Sequence, residues 1–176
     1  MNIMMLLEMA ASGCPERIAF VDPEMDASIS YQELFDSAGN IASILRATDA
    51  ARFAMLDVSN IGIPIGLFAS SWAGIPYVPL NYRLTDPEIE SLLDRVTPAY
   101  LVTEPERVAG FHDRKGVQVS SRTDFSALAR ESGEIPDAWS MDPEDTAVLL
   151  FTSGTTGAPK AAVLRQKHLV SYILGS

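Results

Sequence analysis

Short apolar runs alternate along this chain with longer stretches in which apolar positions return every three or four residues. The first pattern suits a buried strand, the second one face of a helix. The amino end, "MNIMMLLEMAAS", predicts an amphipathic helix packed through Met4, Met5, Leu7 and Met9. Arg17–Asp22 reads as a strand, followed by a turn over Pro23–Ser28. Ser30 and Glu33 have the spacing of a capping box, which satisfies the first free amides of a helix. That helix is expected to run to Leu45, with Leu34, Ala38, Ile41 and Leu45 on one face. Arg52–Val58 predicts a buried strand. Asn60 is placed to cap the next helix, with Pro64 tolerated in its first turn.

Tyr77–Leu80 reads as a short strand, and Thr85–Glu88 as a second capping box that opens a helix through Val96. Ala99–Glu104 is a further strand. A small helix near Glu106–Phe111, a strand over Gly116–Ser120 and a helix near Asp124–Arg130 follow. The first linker-like stretch is Gly133–Asp145. Beyond it, Thr146–Thr152 and Lys160–Leu164 read as two strands flanking a loop. This alternation predicts an α/β fold, a mostly parallel sheet flanked by helices.

Composition narrows the function classes. The chain has 176 residues, of which 47% are hydrophobic, enough for one packed domain or one lobe of a larger one. Its net charge of −10 argues against nucleic acid or an anionic membrane as main partner, since both demand basic faces. Cys14 has no second cysteine to pair with, which is compatible with the cytoplasm. The uncharged run between Asp57 and Arg83 is long enough to span a bilayer, but Asn60, Pro64, Gly74, Pro76 and Pro79 divide it into a short helix and a short strand. No integral membrane segment is expected. The amino terminus lacks a basic flank, which sets it apart from a signal peptide.

The loop between the last two strands carries the candidate chemistry. Thr152, Ser153, Gly154, Thr155, Thr156, Gly157 and Ala158 form a run of small or hydroxylated residues that ends in Pro159-Lys160. Glycines let backbone amides approach an anion, hydroxyls add short donors, and a lysine supplies a mobile positive charge. The spacing is not that of a Walker A loop, because Pro159 precedes the lysine and Ala161 follows it. A solvated hairpin turn is the plain alternative. Such a long run of small residues, closed by Pro-Lys, favours anion binding.

"LLFTSGTTGAPKAAV" (149–163) resembles the phosphate-binding signature of the adenylate-forming superfamily, roughly Y-T-S-G-[ST]-T-G-x-P-K-G. Thr152 through Gly157, Pro159 and Lys160 match it; Phe151 stands for the tyrosine and Ala161 for the last glycine. Arg165-Gln166 falls where the family often has a Thr/Ser-His pair, and His168 lies two residues past that histidine. "ISYQEL" (29–34) and "WAGIPYVPLNYRLTDPEI" (72–89) are similar to two earlier family motifs in the same order. Asn81, Arg83, Leu84 and Glu88 resemble acyl-CoA synthetases more than peptide-synthetase domains.

The resemblance implies an ATP-dependent acyl-CoA ligase that activates a carboxylic, fatty-type acid as an acyl-adenylate and then as a thioester. ATP, Mg²⁺ and coenzyme A are the implied cofactors. Thr152, Ser153, Gly154, Thr155, Thr156, Gly157 and Lys160 would bind the ATP phosphates, and no catalytic or metal-ligating residue is implied here. Later family motifs are not found in the chain. Residues 1–176 are therefore expected to be an incomplete N-terminal (AMP-binding) domain, inactive alone and prone to self-associate through exposed apolar surface. An amino-acid adenylation domain of a peptide synthetase is the alternative enzyme. A non-catalytic binding protein is the alternative of another class, to which the departures Ala161 and Gln166 point.

Other candidates read as structural. Cys14 has no indicated base, and His112 and His168 lack metal-ligand spacing. Asp142, Glu144 and Asp145 read as a solvated acidic turn, and Trp72, Tyr77 and Tyr82 as core or interface.

Overall fold

Strands and helices alternate along the computed structural model, which describes residues 1–131, 133–152 and 160–175. The strands are β1 (Ile18–Asp22), β2 (Ala27–Ser30), β3 (Arg52–Leu56), β4 (Tyr77–Pro79), β5 (Ala99–Thr103), β6 (Val117–Ser121), β7 (Thr146–Thr152) and β8 (Lys160–Arg165). The helices are α1 (Ile3–Gly13), α2 (Tyr31–Arg46), α3 (Gly62–Ala73), α4 (Asp86–Val96), α5 (Val108–Phe111), α6 (Arg122–Arg130) and α7 (Gln166–Leu174), with a 3₁₀ turn at Pro105–Arg107. β1 and β2 form a separate hairpin, and the other six strands form one sheet in the order β6-β5-β3-β4-β7-β8. Within it β3 to β7 are parallel, and β8 alone runs antiparallel, to β7. Helical crossovers return the chain to the same edge between parallel strands, whereas β7 and β8 are joined directly. The expected α/β architecture with a mostly parallel sheet is the one observed.

Both sheet faces are covered, so the central strands are apolar at successive positions rather than at alternate ones. Phe53, Met55, Tyr100 and Val102 pack with α1, α2, α3 and α6 on one face. Ala54, Leu56, Ala99 and Leu101 pack with Ile89, Leu92, Leu93 and Val96 of α4 on the other. The register sets Phe53 beside Tyr77 and Tyr100, and the three rings stack at 5.7 and 6.0 Å. Gly66 lets α3 lie against them: a Cβ there would sit 2.5 Å from Phe53 Cε1.

Local signals explain the helix ends. The Ser30 hydroxyl accepts from the Glu33 amide at 3.2 Å, and the Glu33 carboxylate accepts from the Ser30 amide at 2.7 Å. The box at Thr85 and Glu88 also forms, with the Thr85 amide 2.8 Å from the Glu88 carboxylate. Asn60 Oδ1 accepts from the Gly62 amide at 2.7 Å, but the N-cap position of α3 is Ile61, one residue later than expected. Gly74 ends α3 at φ +80°, a left-handed conformation that glycine adopts without a Cβ penalty.

Three further expectations change. The turn after β1 is shorter than Pro23–Ser28, because β2 begins at Ala27 and pairs back onto Asp22. In α1 the buried stripe is Ile3, Met4, Leu7 and Ala11, while Met9 is 67% exposed. Helical periodicity selects positions three and four apart, and Met9 lies two past Leu7, on another face. Nor is 133–145 a linker. Trp72 Nε1 donates to Pro136 O at 3.2 Å, the Trp72 and Trp139 rings meet edge to face at 5.2 Å, and Arg46 donates to Ala138 O at 2.6 Å. The stretch is a strap across α2 and α3, held by aromatic packing rather than by a ladder. Among the described residues no helix is long and apolar enough to cross a membrane.

Candidate functional site

The carboxyl ends of β3 to β7 share one edge of the sheet, where α/β folds place their ligands. The hairpin of β7 and β8 rises from that edge. β4 pairs with β7 at Tyr77 and Val148 and ends two residues later at Pro79, so Phe151 and Thr152 run on beyond their inner neighbour. The reason is local: β4 is three residues long and ends in Pro79, which has no amide to extend the ladder. Leu149 and Phe151 rest on the apolar cluster around α4, and the Arg95 guanidinium lies 4.9 Å from the Phe151 ring centre.

Of the residues that the sequence singled out, the structure pairs Thr152 with Lys160 across this hairpin. The Thr152 hydroxyl donates to Lys160 O at 3.3 Å, and both residues are exposed. They flank the loop. Ser153, Gly154, Thr155, Thr156 and Gly157 lie outside the described residues. An ammonium group in water at the projecting end of two strands is free to meet an anion.

A second polar group at the same edge was not singled out from sequence. Asp57 follows β3, its side chain only 1% exposed. One carboxylate oxygen accepts from the Val58 amide at 2.7 Å and from Arg122 at 2.9 Å, while Oδ2 has no partner. Burial raises its pKa above the usual carboxylate range, against the opposing pull of the Val58 amide and Arg122. The only signal in the sequence was an aspartate ending an apolar strand; its partner lies 65 residues on.

Of the aromatic residues read as core or interface, Trp72 and Tyr77 are buried, while Tyr82 is exposed. The Cys14 thiol donates to Ala10 O at 3.3 Å beside the end of α1. His168 Nδ1 accepts from the Arg165 amide at 3.0 Å at the start of α7. Asp142 accepts from the Glu144 amide at 2.8 Å, and Glu144 pairs with Lys167 at 2.6 Å. A cleft of 760 Å³ opens elsewhere, between the β1–β2 hairpin, α2, the start of α3 and α6; neither Thr152 nor Lys160 lines it.

The family model described as AMP-binding enzyme matches residues 7–176. The chain belongs to that family. One relative, indoleacetate–CoA ligase of Aromatoleum aromaticum, is 32% identical over 88% of this chain and 33% of its own length. The isonitrile lipopeptide synthase of Streptomyces coeruleorubidus is 30% identical over 97% of this chain and 12% of its own. The chain thus spans a third or less of these two relatives. Among solved structures, VinN superposes on the whole chain with a TM-score of 0.85 at 24% identity, covering 48% of the VinN chain. The family match includes the hairpin with Thr152 and Lys160.

Proposed function

We propose that residues 1–176 act as the N-terminal, ATP-gripping part of an ATP-dependent acid–thiol ligase. The observation that carries this reading is the exposed Thr152–Lys160 pair on a hairpin that overshoots the carboxyl edge of the sheet, in an AMP-binding chain. In this reading Thr152, Ser153, Gly154, Thr155, Thr156, Gly157 and Lys160 hold the β- and γ-phosphates of ATP. Phosphoryl chemistry depends on neutralising charge on phosphate oxygens while a second anion approaches. Lys160 supplies that neutralisation, hydroxyls supply donors, and Mg²⁺, when bound with the nucleotide, would add further positive charge. In the intact enzyme the carboxylate substrate would attack the α-phosphorus and release pyrophosphate, and the thiol of coenzyme A would then take the acyl group and release AMP.

The acid is proposed to be a carboxylic acid of fatty type. Peptide-synthetase chemistry remains the second reading, supported by the lipopeptide synthase relative. Asn81 and Glu88 do not decide between them: Asn81 accepts from the Arg83 amide at 3.0 Å and Glu88 caps α4, so both have structural employment. Because the chain spans a third or less of the two relatives named above, it is expected to bind nucleotide without releasing pyrophosphate by itself. A cytoplasmic location is proposed with this chemistry.

The test is ATP binding by calorimetry, on the wild type and Lys160→Ala. Removing one charged phosphate contact is expected to weaken affinity about ten- to a hundredfold. Equal affinity in both proteins would remove the phosphate role. Self-association is a further expectation, since Val163, Tyr172 and Leu174 expose apolar surface around β8 and α7. Sedimentation that gives a monomer at every concentration would contradict it.

A further inference from the structure

We propose that Gln166 is the positioning residue of the β7–β8 hairpin: its carboxamide, buried at the hairpin root, fixes the strands that carry Thr152 and Lys160 to α1 and α3. The residue opens α7 directly after β8 and is 2% exposed. Its Oε1 accepts from the Ile3 amide at 3.1 Å, and its Nε2 donates to the Ser71 hydroxyl at 3.1 Å. Its backbone amide donates to Asp145 O at 2.9 Å, beside the start of β7. One residue thus joins both ends of the hairpin root to two helices more than 90 positions away in the chain.

The geometry around it is shared. Ile3 is the first residue of α1, and its amide has no partner within the helix. Gln166 satisfies it from outside, while Asn2 accepts from the next amide, Met4, at 2.9 Å. The Asn2 side chain also donates to Ser140 O at 3.0 Å, tying in the strap. The side chains of Gln166, Ser71 and Asn2 are all neutral, so the junction needs no charge to hold.

The hairpin needs such an anchor. It meets the rest of the sheet at one ladder position, Tyr77 and Val148, and β8 has no second strand beside it among the described residues. Six residues of β8 reach about 18 Å from root to tip. Over that length, a tilt of about 3° at the root moves the tip by about 1 Å. A displacement of that size costs an oriented reaction about a hundredfold. Gln166 stands where the family pattern often has histidine. A neutral imidazole also offers one donor and one acceptor, so the two side chains can do the same work.

The effect on ATP rests on the proposed phosphate role; the anchoring does not. The experiment measures backbone amide exchange and ATP affinity on the full chain, at pH 8, for wild type, Gln166→Leu, Gln166→His and Ser71→Ala. Gln166→Leu is expected to speed exchange about tenfold at Ile3 and through β7 and β8, with β3, β5 and β6 unchanged. Gln166→His restores slow exchange. ATP affinity falls and recovers in step. Exchange unchanged in the hairpin, or raised equally in all strands, overturns the proposal. Should Gln166→Leu fail to fold, Ser71→Ala, which removes one bond only, gives the same reading at smaller amplitude. If the wild type binds no ATP but the exchange pattern holds, the anchoring stands and the phosphate reading falls. If the wild type binds ATP and the pattern is absent, the anchoring falls alone.

Discussion

Asp57 and Lys160 occupy the same edge of the sheet under opposite conditions. Lys160 is hydrated and its charge is available, whereas Asp57 is buried with one oxygen unpartnered. Burial of an ionised carboxylate opposes folding, and this raises the Asp57 pKa. The sign follows. A carboxyl whose pKa is higher in the folded state contributes stability that is present below the unfolded value of about 3.9 and is lost as pH rises through the folded value. Asp57→Asn removes that loss. Urea unfolding should therefore show the variant gaining on the wild type as pH goes from 4 to 7. A constant difference between the two proteins would mean that Asp57 does not titrate across this range.

At the scale of elements, the helix starts are the most local devices in the molecule. Ser30→Ala removes the acceptor for the Glu33 amide and is expected to cost about 1 kcal/mol, read from chemical denaturation. The glutamates act in the opposite sense to Asp57. Hydrogen bonds from Ser30 lower the Glu33 pKa, and hydrogen bonds from Thr85 lower that of Glu88. Their stabilisation is present above a pH of about 4.3 and fades as pH falls through the depressed folded values. Glu33→Gln and Glu88→Gln should lower stability at pH 7 and converge on the wild type as pH falls, which flattens the acid limb of the stability curve. An unaltered acid limb would contradict the caps. Both boxes were legible because a capping box is a contact between residues three apart. β2 was not legible: its four residues gain pairing only from β1, and a turn and a short strand share the same polar composition there.

At the scale of the whole molecule, the strap over 133–145 closes one face of the fold. Polar residues and prolines around Ile135 and Trp139 disguise it as a linker. Trp139 pairs with Trp72, and Ile135 lies so close to Gly39 that a Cβ there would sit 2.6 Å from its Cγ2. Trp139→Ala should lower stability by about 1–2 kcal/mol, less than for a fully buried aromatic, and should raise the protease sensitivity of the strap before that of the sheet. Simultaneous cleavage of both would show that the strap does not open on its own.

Strand and helix periodicity, the two capping boxes and the hydroxyl-rich run before Lys160 depend on neighbours a few residues apart, so the amino-acid sequence determined them. It determined the family on the same ground, because the signature is contiguous. Tertiary structure alone decided where β7 sits in the sheet, how far its hairpin overshoots β4, and that Asp57 meets Arg122 and Gln166 meets Ile3 and Ser71. Those partners are 65 to 163 residues apart. The energy of a buried hydrogen bond belongs to the pair and its dielectric surroundings, neither of which exists until the chain has folded.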